Sequence, residues 1–246
     1  MIPRDVAAPP REAARRLIEQ ARAGRRHLLE PEAYQLLQAY GLPVPRHRFV
    51  RDAQEAAAAA EAIGFPVALK VVSPDILHKS ESGGVRLDLR EPGAVREAFE
   101  AVRAGARATR ADARLPGALV LEMARPGTEV IVGMTRDPQF GATVMFGLGG
   151  IFVEVYRDVS FRIVPVAERD AREMIREVKG LPLLTGFRGR PPADLEALAR
   201  IVLQVSRMAE ELPEIAEVDL NPIVVHERGG LPLDARVLLA PEEASA

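Results

Sequence analysis

Apolar positions along the chain switch repeatedly between a helical and a strand period, and the switches divide it into alternating elements. After a proline-rich start, Ala14, Leu17, Ile18 and Ala21 recur at helical spacing, predicting a helix over 11–23 that Gly24 ends. A second helix is predicted from about Pro31, a favoured first-turn residue, with Ala33, Leu36, Leu37 and Tyr40 on one face and Gly41 closing it. Pro43 and Pro45 then force an extended connection. A strand at 48–50, an alanine-rich helix at 53–63 and the stop Gly64-Phe65-Pro66 follow.

The stretch PVALKVVSPDILHKSESGGVRLDL (66–89) organises the rest. Val67, Ala68, Leu69, Val71 and Val72 make a short, β-branched run bounded by Pro66 and Ser73-Pro74, so it reads as a buried strand with Lys70 set inside it. A polar loop follows, with His78, Lys79, Ser80, Ser82, Gly83 and Gly84. Val85, Leu87 and Leu89 then alternate with Arg86 and Asp88, the period of a half-buried strand. Strand, polar loop and strand, with lysines in the first half, suit the holding of polyphosphate. A helix at 91–107, amphipathic through Val95, Phe99 and Val102, completes a small β-α-β-β-α unit, and a strand at 118–123 follows it.

The second half is strand-rich. Strands are predicted at 128–135 and 142–146 around an Arg136-Asp137-Pro138 turn. Gly147-Leu148-Gly149-Gly150 breaks the pattern before strands at 152–156 and 161–164. Helices are predicted at 168–178 and 193–212, the latter aligning Leu195, Leu198, Val202, Val205 and Met208. Strands at 215–220, 223–226 and 233–238 end the chain. No low-complexity linker or fixed-period repeat separates the halves, so two lobes of one unit are expected.

Composition narrows the chemistry. A length of 246 residues allows one large domain or two small ones, and 48% hydrophobic with 28% charged residues is ordinary globular usage. A net charge of −2 gives no electrostatic case for nucleic acid or a membrane surface. No apolar run is long enough to span a bilayer, and the N-terminus lacks the apolar core of a signal peptide, so the cytoplasm is the expected compartment. Zero cysteines exclude disulfides, thiolate metal sites and cysteine nucleophiles. Of 33 basic residues only three, Lys70, Lys79 and Lys179, are lysine. Two of these flank or enter one loop, where a compact ammonium can follow a moving phosphate as a rigid guanidinium fork cannot. Scarce amides with abundant arginine and glutamate suit a thermophile or a GC-rich genome.

The only asparagine, Asn221, lies in Asp219-Leu220-Asn221-Pro222 at the end of a predicted strand. Residues 219 and 221 share a face, and with Asp234 their oxygens suit magnesium. Asn-Pro as a bare turn signal is the competing reading. Gly147–Gly150 either lets backbone amides approach an anion or makes a tight turn. There is no Walker loop and no GxGxxG. His27, His47 and His226 sit among surface-like charges, whereas His78 lies beside Lys79, where an imidazole can act on phosphorus as nucleophile or general base. Glu122-Met123 and Glu129 flank a Pro-Gly turn and by themselves indicate only a hairpin.

Five segments in order resemble the ATP-grasp fold, and specifically the nucleotide-binding beta part of ADP-forming acyl-CoA synthetases, relatives of succinyl-CoA synthetase. They are EPEAYQLLQAYGLPVP (30–45), PVALKVVSPDILHKSESGGV (66–85), LVLEMARPGTEVIVGMTRDPQFG (119–141), GLGGIFVEVYRDVSFRIVP (147–165) and EVDLNPIVV (217–225) with LDARV (233–237). The resemblance implies an α+β ATP-grasp fold of two α+β lobes with the nucleotide between them: a helical extension at 1–29, a first lobe with the phosphate-covering loop at 30–120, and a second lobe with the magnesium site at 121–240. It implies that Lys70 contacts nucleotide phosphates, that Gly83 and Gly84 belong to the closing loop with Lys79 beside it, and that Glu122 and Met123 form the adenine hinge, mainly through backbone groups. Glu129 is implied near the ribose, Asn221 and Asp234 as Mg2+ ligands with Asp219 adjacent, and His78 as a phosphate relay.

The implied reaction is acyl-CoA + ADP + phosphate to carboxylic acid + ATP + CoA, with phosphoryl passing between a phosphohistidine and ADP/ATP. The chain starts at Met1 and ends in EEASA, so a separate subunit is expected, working with an alpha subunit that carries the CoA-binding and ligase domains in an α2β2 assembly. The alternative from another class is a non-catalytic ATP-binding regulatory or assembly module. A carboxylate–amine ligase of the same fold is not supported by the DILHKSESGGV loop.

Overall fold

The computed structural model describes residues 10–76, 79, 81–150, 158–189 and 191–241. They pack as two compact units, Pro45–Arg125 and a unit formed from residues within 1–44 and 126–246. The sequence division falls after residues 29 and 120, whereas packing places the N-terminal helices with the C-terminal strands. No helix of the described residues is long and apolar enough to cross a membrane.

In the Pro45–Arg125 unit, β1 (His47–Val50), β2 (Val67–Val72), β3 (Val85–Leu89) and β4 (Gly117–Glu122) form an antiparallel sheet in the order β1-β4-β2-β3. Numbering the helices from the N-terminus, α3 (Ala53–Ile63) and α4 (Pro92–Thr109) belong to this unit. Asp52 starts α3 by accepting from the Gln54 and Glu55 N–H groups at 2.9 and 2.8 Å. Val67, Leu69 and Val71 of β2 join Ala56, Ala60, Val95, Phe99 and Val102 of the helices in one core. Strand alternation therefore turns Lys70 to the opposite face.

The half-buried alternation expected in β3 is not what forms: Leu87 is 61% exposed. Leu87 and Asp88 together oppose Ala68 alone, because pairing shifts from Leu69↔Arg86 to Val67↔Leu89. Asp88 takes a φ of +57° there, and the bulge rotates the side-chain pattern.

The other unit contains α1 (Pro10–Ala23) and α2 (Glu30–Ala39), then β5 (Thr128–Asp137), β6 (Gly141–Leu148), β7 (Val159–Ile163), α5 (Glu168–Glu177), α6 (Leu181–Thr185) and α7 (Leu195–Glu211). β8 (Ile215–Val225), β9 (Gly230–Pro232) and β10 (Arg236–Leu239) complete it. The antiparallel order is β10-β8-β5-β6-β7, with β9 also paired to β8. Val130, Val132 and Met134 are buried alongside Leu198, Val202 and Val205 of α7.

Four sequence expectations change here. β5 runs on to Asp137, whose carboxylate accepts from the Gln139 and Phe140 N–H groups, so the turn follows Asp137. Gly147 and Leu148 stay in β6, which ends before Gly149 and Gly150. The two strands expected at 215–220 and 223–226 are the single strand β8, because Asn221 and Pro222 form a bulge opposite Ile131 rather than a turn. The strand expected at 233–238 begins later, as β10 from Arg236, after a short connection from β9, which the sequence reading did not include. The strand expected at 152–156 lies outside the described residues.

Candidate nucleotide and cation site

Lys70 pairs with Val85 on one side and Leu119 on the other and is 8% exposed. Its stem is buried within the strand, where an ammonium carries a desolvation cost. The end of the following loop is anchored tightly. The Gly84 N–H donates to the Lys79 carbonyl at 2.7 Å, as does the Ser82 hydroxyl at 2.9 Å, and the Val71 N–H donates to the Gly84 carbonyl at 2.8 Å.

Glycine is required at this anchor. Gly83 has φ +64°, and a Cβ on Gly84 would lie 2.6 Å from Val71 Cγ1. On α4, a Cβ at Gly105 would lie 2.8 Å from the Ser82 carbonyl oxygen. Sequence reading passed over Gly105, which resembles any weak spot in an amphipathic helix. His78 lies outside the described residues.

Glu122 ends β4, and its carboxylate is turned to Arg46, which donates from its backbone N–H at 2.9 Å and from Nε at 2.7 Å. Burial pushes this carboxyl upward, but the Arg46 backbone bond, side-chain bond and charge together outweigh it and hold the group below its ordinary range. The Glu122 N–H donates to the Arg46 carbonyl at 2.9 Å and the Met123 N–H to the Pro66 carbonyl at 3.3 Å. The hairpin expected from 122 to 129 does not form, because β4 pairs with β1 and β2 while β5 pairs with β6 and β8.

Glu129 is exposed on β5 and meets the glycine stretch that the sequence left open. The Gly149 N–H donates to the Glu129 carbonyl at 2.8 Å, and a Cβ on Gly149 would lie 3.0 Å from Glu129 Cβ. Gly150 follows with φ +63°. The two glycines thus turn flat against Glu129.

On β8, Val218 and Leu220 are buried while Asn221 is exposed and Asp219 half-buried, so 219 and 221 do share a face. Asp219 Oδ2 lies 3.3 Å from Arg236 Nη2, directly across the β8–β10 pairing. Asp234 Oδ1 accepts from the Ala235 N–H at 2.9 Å. The amide and carboxylate oxygens of Asn221, Asp234 and Asp219 are hard donors of the kind magnesium takes, and Asp219 has a guanidinium beside it. Among the described residues no three His, Cys, Asp or Glu side chains are grouped to hold a metal. A cation held by Asn221 and these aspartates would take its remaining ligands from phosphate or water oxygens.

Sequence reading also missed what lies behind this hairpin. Tyr34 of α2, fully buried, donates its hydroxyl to the Leu233 carbonyl at 2.7 Å, with Glu30 Oε1 at 2.9 Å. The i,i+4 spacing of Glu30 and Tyr34 was visible, but their partner 199 residues on was not.

Two antiparallel sheets, each with its helices, are the architecture of an ATP-grasp protein. Residues 19–239 match the family model described as ATP-grasp domain, and the chain belongs to that family. It is 50% identical to the Pyrococcus furiosus acetate–CoA ligase [ADP-forming] I subunit beta over 92% of this chain and 97% of that one. Among solved structures it is similar to acetyl-coenzyme A synthetase 1 of Ca. Korarchaeum cryptofilum in complex with coenzyme A and Ca-AMPCP. The TM-score is 0.90 at 47% identity, covering 92% of this chain and 100% of that one. Another structure of that enzyme holds coenzyme A and Mg-AMPPCP with its phosphohistidine segment pointing towards the nucleotide binding site. It matches with a TM-score of 0.80 at 46% identity over 92% of this chain and 100% of that chain.

Proposed function

We propose that this chain is the nucleotide-binding beta subunit of an ADP-forming acyl-CoA synthetase. With an alpha partner it completes the reaction acyl-CoA + ADP + phosphate to carboxylic acid + ATP + CoA. The observation that carries this is the end-to-end match to a subunit beta at 50% identity. The phosphoryl group reaches the site on a partner histidine. There its P–N bond breaks and a bond forms to a terminal oxygen of ADP.

In this reading Lys70 neutralises the transferring phosphoryl group, with Lys79 beside it, and Gly83 and Gly84 let backbone amides approach the phosphates. Glu122 and Met123 border the adenine through backbone groups, while the Glu122 carboxylate keeps Arg46 in place. Glu129 borders the ribose. Asn221 and Asp234 would hold Mg2+, with Asp219 behind them. The ion would neutralise phosphate charge as the P–O bond forms. His78 is the candidate second phosphate carrier. The partner carries the CoA-binding and ligase domains in an α2β2 assembly, and the compartment is the cytoplasm.

The test uses γ-labelled ATP and magnesium with and without the alpha partner, following acid-labile, base-stable phosphate on each chain. Label on the partner that disappears with Lys70→Ala supports the reading. Label on this chain that disappears with His78→Ala adds the carrier role. No transfer to either chain overturns it in favour of a non-catalytic ATP-binding module.

A further inference from the structure

In the connection between β9 and β10, Leu233, the residue before Asp234, is held through both of the peptide groups it joins. Leu233 donates its N–H to the carbonyl of Pro222 at 2.8 Å, and its own carbonyl accepts the Tyr34 hydroxyl at 2.7 Å. Pro222 follows Asn221 and Leu233 precedes Asp234. A single clamp therefore sits one residue from each of the two candidate cation ligands.

The clamp is built to hold direction. Tyr34 is fully buried, and Glu30, 4% exposed, stands at 2.9 Å from the hydroxyl one turn earlier on α2. Burial first, then the Glu30 and Asp234 charges and the Glu30 bond, push the Tyr34 hydroxyl well above its ordinary range. The hydroxyl's one proton lies between the Leu233 carbonyl at 2.7 Å and Glu30 Oε1 at 2.9 Å, nearer the carbonyl. A bond to a carbonyl fixes the plane of the peptide that follows it, and that plane sets where the next side chain starts. Groups that orient a cation ligand from behind in this way tune metal affinity without touching the metal.

We propose that Tyr34 is a positioning residue for the divalent cation of the nucleotide site, acting through the Leu233 peptide on Asp234. This rests on Asn221 and Asp234 being the cation ligands, so the experiment separates the two claims. Mn2+ binding to the full chain with ADP present is followed by the electron paramagnetic resonance signal of the free ion. ADP binding in excess chelator is measured alongside.

Tyr34→Phe, which keeps the ring, is expected to weaken Mn2+ binding about 10-fold, with metal-free ADP binding unchanged. Asn221→Ala and Asp234→Asn should weaken Mn2+ binding at least as much. If they do and Tyr34→Phe does not, the positioning role is overturned and the ligand assignment stands. If neither ligand variant moves Mn2+ binding, the ligand assignment fails and the proposal with it. Equal loss of Mn2+ and metal-free ADP binding in Tyr34→Phe would mark a merely structural role and also overturn it. Should Tyr34→Phe fail to fold, Glu30→Gln serves in its place, with a smaller loss of Mn2+ affinity expected and an unchanged affinity counting against the proposal.

Discussion

Arg46 grips Glu122 from three directions: two donors meet the carboxylate at 2.9 and 2.7 Å, and the Arg46 carbonyl takes the Glu122 N–H at 2.9 Å. The side chain of the residue at the proposed adenine hinge is thus committed within its own unit. Glu122→Gln, whose amide keeps one acceptor for Arg46 and loses the other, leaves the Glu122 N–H bond to the Arg46 carbonyl in place and is expected to keep ADP affinity within about threefold of wild type. Isothermal titration with ADP measures it, and a loss of tenfold or more would show that the carboxylate itself reads the base.

Lys70 should behave oppositely. Its ammonium lies within β2 at 8% exposure, so Lys70→Met fills the same space while removing the charge. ADP affinity is expected to fall by about 10-fold or more, the scale of one charge-assisted contact to phosphate. The thermal midpoint is followed alongside, so that loss of a phosphate contact is told apart from loss of the fold. A lowered midpoint with unchanged affinity would contradict the phosphate role.

Two glycines on α4 give a paired test of the loop anchor. A Cβ at Gly105 meets the Ser82 carbonyl at 2.8 Å, whereas one at Gly93 has only Glu91 Oε1 at 3.9 Å. Gly105→Ala should destabilise by about 1–3 kcal/mol through overpacking and weaken ADP binding as the Gly83–Gly84 turn shifts. Gly93→Ala should be neutral or stabilise by up to about 1 kcal/mol through helix propensity. Urea denaturation of both variants distinguishes the packing cause from a general intolerance of α4.

Asp75 supplies a pH dependence with a defined sign. Its carboxylate takes the Arg114 side chain and backbone N–H, which outweigh burial and bring its pKa down from 3.8 to about 2. A depressed pKa stabilises the fold fully above the unfolded value, and that stabilisation fades as pH falls through the folded one. The stability gap between wild type and Arg114→Ala should therefore be constant above about pH 5 and shrink between about pH 4 and 2. Denaturation at a series of pH values checks this, and a gap that widens on acidification would reverse the assignment.

The elements most legible in the sequence are those whose burial follows local period. The helix at 53–63 emerges with the expected bounds, and β2 is buried along its whole length, because an alanine stripe and a β-branched run need no distant partner to be recognised. At two of the places where the reading slipped, a bulge was responsible. The extra residue opposite Ala68 turns Leu87 outward, and the one opposite Ile131 keeps Asn221 and Pro222 inside a strand instead of at a turn. A bulge is a property of two paired strands, and neither strand's own sequence contains it.

The same distinction runs through the candidate site. By itself the sequence determined the fold class, through the segments that resemble the ATP-grasp family; it also showed the lysine inside a buried strand, the glycines after it and the single asparagine with its neighbouring aspartates, because each of these is a residue type whose chemistry or backbone freedom is unusual where it stands. Only the tertiary structure decided that Glu122 is held by Arg46, that Gly149 lies flat on Glu129, that Asp219 faces Arg236, and that Tyr34 clamps the peptide before Asp234. Those relationships join residues from 17 to 199 positions apart, and hydrogen bonds of about 3 Å exist only once packing has brought their ends together.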